Sequence, residues 1–364
     1  MIAVSGALRK IFVGDALIAE MLHKVGAGGD LTRDEAEAVM EELLEGRLAQ
    51  ADIVGLLTTL RSKGETVDEL VGFARVMRRH VRPVKFGDAA AEASLAELPL
   101  VDTAGTGGDN CGTFNISTAA AFVIAGAGVR VAKHGNRSIS SKSGSADVLE
   151  ALGVNLVNAS ERAGETITRI GIGFLFAPAM HTAMKHAMAA RREAGGRTVF
   201  NLLGPLTNPA GAKVQIIGVP APALVEKIGH ALAELEPRRA FVVHGVDGLD
   251  EISLSDETEV ADVRPHSVQR YRVAPEDFGV ARAPREALLG GDAAENAGII
   301  RRILQGEPGP RREIVRINAA AALVAAGVAA DFHSGAERAA ESIDSGAARV
   351  KLDALIEFSQ KEER

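Results

Sequence analysis

The chain has no tryptophan and only one tyrosine, Tyr271, among its 364 residues. Aromatic faces that could stack on bases or form a sugar platform are therefore scarce. The single cysteine, Cys111, has no partner for a disulfide, so we expect a protein of the reducing cytoplasm. The neighbours of Cys111 supply glycine flexibility and no evident base, which disfavours a nucleophilic role for its thiol.

Long apolar runs and an excess of positive charge are missing as well. No apolar run approaches the length of a membrane span, and the N-terminal segment lacks the pattern of a signal peptide. The formal net charge of −7 argues against a nucleic-acid-binding face. An apolar fraction of 46% is ample for buried cores, and the length favours two domains.

Helical patterns dominate the first hundred residues. Leu17–Val25 has apolar residues at helical spacing, and Thr32 with Glu35 forms a capping box for a helix that ends at Gly46. The same spacing predicts helices over Leu48–Ser62 and Thr66–His80. Phe86–Glu97, small and polar, is predicted to be a linker.

Short apolar strands then alternate with helices. The predicted strands are Leu98–Val101, Val129–Ala132, Val154–Val157, Ile172–Phe176 as a central strand, Lys213–Val219 and Arg239–His244. The predicted helices include Ser160–Ile170, Thr182–Ala194 and Ala223–Leu235, with a loop-rich return over Thr198–Pro209. Extra strands or an antiparallel hairpin are expected within Val260–Val273, and three Ala-rich helices from Glu286 to Phe358. This alternation predicts a parallel sheet with ligands at the carboxyl ends of its strands.

Three loops rich in Gly, Ser and Thr lie within this region. The Gly105–Gly108 turn is followed by Asn115-Ile116-Ser117-Thr118, where Ser117 or Thr118 would cap a helix. Ser143-Gly144-Ser145 would begin a second helix in the same way. Lys133 and Arg137 add two cations at strand ends. Helix N-termini with unpaired N–H groups bind anions, so the pattern predicts a site for more than one phosphate group.

Two further constellations carry chemistry. Asp250 and Glu251 follow a strand at the same edge of the sheet, and adjacent carboxylates beside phosphates are oxygen ligands for Mg²⁺. The alternative is that these two carboxylates lie in a loop and bind no metal. Arg191 and Arg192 lie on one helix, where a guanidinium fork could bind a carboxylate or simply face solvent.

The motifs GTGGD, NIST, KHGN and SGSADVLE, in this order, resemble the anthranilate phosphoribosyltransferase family. The resemblance runs from about Leu31 to the C-terminal helices. It implies an α/β fold of the nucleoside phosphorylase and phosphoribosyltransferase type. A small all-helical domain, residues 1–96 and about 178–209, would mediate a homodimer. A larger α/β domain with a mainly parallel sheet, residues 97–177 and 210–364, would bind phosphoribosyl pyrophosphate.

The resemblance also assigns residues. Those implied for phosphoribosyl pyrophosphate are Gly105, Gly108, Asp109, Thr113, Asn115, Ile116, Ser117, Thr118, Lys133, His134, Gly135, Asn136, Arg137, Ser138, Ile139, Ser140, Ser141 and Ser145. Those implied for anthranilate are Gly105, Asn136 and Arg191, and those for Mg²⁺ are Ser117, Asp250 and Glu251. Arg191 and His134 would position substrate, although a structural His134 is an equal alternative. His181 and His186 are expected on a helix surface, and no general base is assigned.

The implied reaction transfers the 5-phosphoribosyl group to the amine of anthranilate, with Mg²⁺ as cofactor and no nucleic-acid or membrane partner. The alternatives are a pyrimidine nucleoside phosphorylase of the same fold and a non-enzymatic, nucleic-acid-binding relative. Two residues depart from the family pattern. Asn110 replaces a usual glycine and should tolerate the positive φ of the turn. Thr182 replaces a proline at a helix start, where either residue is acceptable.

Overall fold

The computed structural model describes residues 17–87, 99–138 and 142–361. Ile139, Ser140 and Ser141, and most of the predicted linker Phe86–Glu97, lie outside the described residues. The described residues form two compact units, each folded on itself. One combines the chain up to Val81 with His181–Thr207, and the other combines Arg82–Met180 with Asn208–Arg364.

The helices cover much of both units. In chain order the α-helices are α1 (17–26), α2 (Arg33–Leu44), α3 (Gln50–Lys63), α4 (Val67–His80), α5 (Ile116–Gly126), α6 (Ser145–Ala151), α7 (Leu156–Glu161), α8 (Ala163–Arg169), α9 (Ala177–Met180), α10 (Met188–Ala194), α11 (Val199–Leu206), α12 (Pro222–Ala233), α13 (Ala293–Leu304), α14 (Pro310–Ala325), α15 (Phe332–Asp344) and α16 (Ala347–Gln360). Short 3₁₀ turns cover Thr182–His186, Pro275–Phe278 and Arg285–Leu288. Within the described ranges, none of the helices combines the length and apolar character that a membrane crossing requires.

The helical unit begins its helices with the predicted capping chemistry. Thr32 and Glu35 form a capping box at the start of α2, which confirms the prediction, and Thr66 with Glu69 repeats it at α4. Helices α2 and α4 approach closely at Gly72, where a Cβ atom would lie 2.5 Å from the carbonyl oxygen of Arg33. Only glycine permits this separation.

Several local predictions were wrong. Val154–Val157 is not a strand, because Asn155 caps α7 by accepting from the N–H of Asn158 (3.2 Å). The predicted helix Thr182–Ala194 is a 3₁₀ turn followed by α10. The segment Thr198–Pro209, predicted to be rich in loops, contains the helix α11. At its N-terminus Asn201 Oδ1 accepts from the N–H of Thr198 (3.0 Å). The C-terminal part holds four helices, α13 to α16, and not three.

The α/β unit is built on one sheet. Its strands are β1 (Leu100–Asp102), β2 (Arg130–Gly135), β3 (Ile172–Phe176), β4 (Val214–Gly218), β5 (Arg239–Gly245), β6 (Thr258–Arg264) and β7 (Ser267–Val273). Their order is β3-β2-β1-β4-β5-β6-β7. The first five run parallel, and β6 and β7 form an antiparallel hairpin. The mainly parallel sheet and the hairpin are as predicted, whereas β3 lies at the edge and is not central.

Strand order places the ligand-binding region. The chain moves outward from β1 through β2 to β3, and then returns to the other side of β1 with β4 and β5. In open α/β sheets, ligands bind at such a reversal, beyond the carboxyl ends of the strands. The reversal here lies between β1 and β4, where Val101 pairs with Val214.

Candidate active site

The glycine turn lies at this reversal of strand order. The N–H of Thr106 donates to the carbonyl oxygen of Gly218 at the end of β4 (2.9 Å). A Cβ atom on Gly105 would lie 3.3 Å from that oxygen and 3.7 Å from Asp250 Oδ2. Gly107 and Gly108 have φ values of 65° and 85°, and Asn110 has φ 57°. Asn110 thus adopts the left-handed conformation predicted for it, and the turn keeps its shape.

Lys133 lies beneath the glycine turn. Its ammonium donates to the carbonyl oxygen of Thr103 (3.1 Å), to Thr103 Oγ1 (3.2 Å) and to Ser117 Oγ (3.3 Å). The residue is 4% exposed, and this burial lowers the pKa of the ammonium. Lys133 therefore joins the ends of β1 and β2 to the first turn of α5.

Glu251 reaches the same turn of α5 from the loop after β5. Its Oε1 accepts from the N–H of Ser117 (3.1 Å). Burial raises the pKa of the Glu251 carboxyl to about 7, although the nearby Lys133 ammonium opposes that shift. Glu251, Ser117 and Gly105 line one small cavity, and Asp250 Oδ2 also lies near Gly105, so both carboxylates lie at the edge of the sheet that carries the glycine turn.

The predicted cap of this helix was wrong. Helix α5 begins at Ile116, with Asn115 as N-cap residue and no side-chain cap. Since the carboxylate of Glu251 accepts from the N–H of Ser117, it takes the place of a local cap. The Asn115 side chain instead donates to Ser143 O (3.1 Å) and accepts from Asn296 Nδ2 (3.0 Å). It joins two site loops to α13. Ile116 and Thr118 are buried beside it.

The loop after β2 is anchored through its backbone. The N–H of His134 donates to Asp102 Oδ1 (3.1 Å), and the carbonyl oxygen of Asn136 accepts from the N–H of Ala146 (3.1 Å). A Cβ atom on Gly135 would lie 2.2 Å from Ser145 Oγ, so only glycine lets the two loops approach. His134 is buried and Asn136 is exposed.

The second helix of the motif region, α6, begins at Ser145 and is capped by the Asp147 carboxylate and not by a serine hydroxyl. Asp147 Oδ2 accepts from the N–H groups of Gly144 (2.9 Å) and Ser138 (3.0 Å), and Gly144 is the N-cap residue. The predicted serine cap was therefore wrong. Arg137 pairs with Asp147 (3.0 Å) and Glu150 (2.8 Å), and these carboxylates raise the pKa of its guanidinium.

The loop that carries Asp250 is ordered internally by Asp247. This carboxylate accepts from the hydroxyls of Ser253 (2.8 Å) and Ser255, so its role is to hold the loop. Asp109 of the GTGGD turn lies next to the loop, since the N–H of Asp250 contacts Asp109 Oδ2 at 3.5 Å. Thr113 forms a bridge to Leu289 on the far side of the turn. Burial raises the pKa of the neighbouring Cys111 thiol to about 11, which agrees with a non-nucleophilic cysteine.

The side chains that could hold a metal here offer oxygen atoms. Carboxylates of Asp250 and Glu251 and the Ser117 hydroxyl suit Mg²⁺, which prefers oxygen ligands and keeps several waters. In the part of the chain that the structure describes, no group of three or more His, Cys, Asp or Glu side chains could hold a metal alone. Such a donor set fits an ion that shares its coordination with waters and substrate oxygens.

Arg191 belongs to the helical unit. It lies on α10 with its guanidinium carbon 5.2 Å from the centre of the Phe200 ring, and burial lowers its pKa. His181 is 8% exposed, and burial lowers its pKa to about 4. The expectation that His181 lies on a helix surface was wrong, whereas His186 is exposed as predicted.

Three buried carboxamides around the site were not predicted from the sequence. Asn208 donates to Asp102 Oδ2 (2.8 Å) and to Ala132 O (2.9 Å), and therefore joins β1 and β2 to the turn before β4. Asn296 holds Asn115, and Asn318 holds the residue after Glu251. The available signal was an amide inside an otherwise apolar or Ala-rich run, such as Asn318 in α14.

We expect Asp102→Asn to destabilise the α/β unit. Burial raises the pKa of Asp102 to about 6, so at pH 8 it is an ionised acceptor of two N–H donors. An amide can accept only one of them and turns its own N–H₂ toward Asn208. The free energy of unfolding should fall by about 1–3 kcal/mol. Urea unfolding at pH 8, followed by circular dichroism, measures the change.

The double variant Asp102→Asn/Asn208→Asp is the control, because it restores one donor and one acceptor across this pair. It should recover part of the lost stability, although Ala132 O loses its donor. A double variant no more stable than Asp102→Asn would contradict the pairing.

Comparisons with known proteins agree with this geometry. A family model described as "Glycosyl transferase family, a/b domain" matches residues 97–349, and a second, "Glycosyl transferase family, helical bundle domain", matches residues 19–81. The chain is 50% identical over 350 residues to the anthranilate phosphoribosyltransferase of Geobacter sulfurreducens. That match covers 95% of this chain and 100% of the relative.

Solved structures are similar over the same extent. Anthranilate phosphoribosyltransferase from Thermus thermophilus has a TM-score of 0.85 and 43% identity, with coverage of 94% of this chain and 99% of that one. The Saccharomyces cerevisiae enzyme, in a complex with PRPP and Mg, has a TM-score of 0.82 and 25% identity, with coverage of 94% and 98%. With half of its residues identical over almost its whole length, the chain belongs to the anthranilate phosphoribosyltransferase family.

Proposed function

We propose that this protein transfers the 5-phosphoribosyl group from phosphoribosyl pyrophosphate to the amine of anthranilate, giving N-(5-phosphoribosyl)anthranilate and pyrophosphate. One observation carries the proposal: the Asp250–Glu251 loop lies within hydrogen-bond distance of both the first turn of α5 and Asp109 of the glycine turn. Relatives that are 50% and 51% identical to this chain in sequence are named anthranilate phosphoribosyltransferase. This similarity favours the transferase over a nucleoside phosphorylase or a nucleic-acid-binding relative.

The phosphate groups would be bound mainly by the loops at the strand ends. Gly107 and Gly108 have left-handed backbones, and such turns can direct successive N–H groups toward one anion. Lys133 supplies positive charge from below, although its ammonium hydrogen bonds go to Thr103 and Ser117. We therefore assign Lys133 to shaping the cradle and to its electrostatic field, with direct phosphate contacts left to the loops above it.

Asp250, Glu251 and Ser117 would hold Mg²⁺, whose chemistry is to neutralise charge on the diphosphate. Glu251 is already aligned by the N–H of Ser117, so the protein offers part of the coordination before any ligand arrives. Asp109 adds a fourth oxygen-bearing side chain beside the loop.

The chemical step needs positioning more than proton transfer. The amine nitrogen bonds to the ribosyl carbon while the bond from that carbon to the diphosphate oxygen breaks, and the amine then loses a proton to solvent. Main-chain N–H groups stabilise the charge that develops on the departing diphosphate. We assign no general base. Arg191, Asn136 and Gly105 would hold anthranilate in line, with His134 as a positioning residue.

We also propose a cytoplasmic homodimer formed through the helical unit. The single cysteine supports the reducing compartment. The homodimer through the helical unit is what the family resemblance implies. Sedimentation velocity would contradict the dimer if it gave the mass of one chain at micromolar concentration.

The double variant Asp250→Asn/Glu251→Gln should lose activity because it removes both carboxylates from the proposed metal site while nearly conserving shape. We expect kcat/KM to fall by about 10²-fold or more. The loss of anthranilate fluorescence on addition of phosphoribosyl pyrophosphate and Mg²⁺ measures it, in a protein without tryptophan. Asp256→Asn, which lies outside the assigned site, is the control. A wild-type trace that stays flat would contradict the transferase assignment.

Arg191→Met should raise the KM for anthranilate by about 10–100-fold, since a charge-assisted hydrogen bond contributes about 1.5–3 kcal/mol. The KM for phosphoribosyl pyrophosphate should stay unchanged. Arg192→Met, at the exposed neighbour on the same helix, is the matched control. Equal effects of both substitutions on the two KM values would exclude a specific role for Arg191.

A further inference from the structure

Asn318 is a buried amide in the middle of α14, only 3% exposed. Its side chain contacts both backbone polar groups of Ile252: Oδ1 accepts from the N–H (2.9 Å), and Nδ2 donates to the carbonyl oxygen (3.0 Å). The remaining N–H of the amide donates to Ile314 O (2.9 Å), one turn earlier in α14. Both donors are used, so this network determines the orientation of the amide.

Ile252 directly follows the Asp250–Glu251 pair. A Cβ atom on Gly218 would lie 1.6 Å from the carbonyl oxygen of Asp250, so the loop is also packed tightly against the end of β4. The loop therefore contacts both Gly218 and Asn318. Asn318 also lines the small cavity shared by Glu251 and Ser117.

The amide is costly at this place unless it has a specific partner. Its neighbours Ala319–Leu323 are fully buried and small or apolar, and Asn is a poorer helix former than Leu or Ala. Burying a polar group stabilises nothing unless its hydrogen bonds are made. The hydrogen bonds of Asn318 fix the position of the Ile252 backbone, and thus of the two carboxylates that precede it in the chain.

We propose that Asn318 is a positioning residue for the metal-binding loop. By holding Ile252 at two points, it keeps Glu251 at hydrogen-bond distance from the first turn of α5, and so presents Asp250 and Glu251 to Mg²⁺ bound with the diphosphate. The inference rests on the proposed function, because it concerns the ion which that function requires.

The test measures binding of phosphoribosyl pyrophosphate by isothermal titration calorimetry over a series of Mg²⁺ concentrations, without anthranilate. In Asn318→Leu, the Mg²⁺ concentration for half-maximal binding should rise by about 10–100-fold, as for other residues that orient metal ligands. Saturating Mg²⁺ should restore most of the binding. In Asn318→Ser, whose side chain is smaller and polar, the half-maximal Mg²⁺ concentration should also rise. This variant replaces Asn318→Leu in the test if Asn318→Leu fails to fold.

Ser359→Ala is the matched control. Ser359 is fully buried, and its Oγ accepts from the N–H of Asn155 (3.0 Å), so the variant likewise leaves a buried N–H without its side-chain acceptor. It should lower the thermal midpoint and leave the Mg²⁺ dependence unchanged.

The outcomes separate the two levels of inference. If the wild type binds phosphoribosyl pyrophosphate without any need for Mg²⁺, the proposed metal site fails and this inference fails with it, whereas a wild type that does not bind phosphoribosyl pyrophosphate at any Mg²⁺ concentration would overturn the proposed function. Suppose instead that binding by the wild type requires Mg²⁺ and that both Asn318 variants have the same half-maximal Mg²⁺ concentration as the wild type. If these variants also show a lower thermal midpoint, as Ser359→Ala does, then Asn318 only stabilises the fold and the inference is overturned.

Discussion

Two opposite charges around Ser117 hold the centre of the α/β unit together. The Lys133 ammonium donates to the Ser117 hydroxyl, and the Glu251 carboxylate accepts from the Ser117 N–H. Burial disfavours each charge alone, so each depends on the other and on these hydrogen bonds. Three pieces of chain that are distant in sequence, the end of β2, the start of α5 and the loop after β5, are joined at this one residue. The candidate site exists only where they meet.

Neutral amides then complete the framework. Asn115, Asn208 and Asn318 each join segments that are remote in sequence, and each uses both its donor and its acceptor side. Carboxamides can do this without adding charge, whereas another carboxylate or ammonium would alter the field in which a diphosphate and a cation bind. Loop position and site charge can therefore be set by different residues.

The sequence predicted the parts of the site that are local patterns, and it was wrong where distant residues decide. The glycine turn, the left-handed Asn110 and the placement of the Asp250–Glu251 loop follow from short motifs and strand alternation. The cap of α5 did not, because the N–H of Ser117 is bound by Glu251, 134 positions away. Val154–Val157 was misassigned since three apolar residues and Asn155 fit either a strand or a capped helix start. That β3 is an edge strand depends on topology, which no local pattern contains.

Strand order finally explains why a helical segment interrupts the chain where it does. After β3 the chain returns across the sheet to the other side of β1 as β4, and the residues that separate β3 and β4 include His181–Thr207 of the helical unit. A reversal requires a long connection, because β4 must pair with β1 and not with β3. A reversal also creates the crevice in which ligands bind. The return of the chain from β3 to β4 therefore accounts for two features. It leaves room for the insertion that completes the helical unit, and it creates the crevice in which the glycine turn lies. This makes Asn208, the first residue after the insertion, a natural place for the buried amide that ties β1 and β2 to the returning chain.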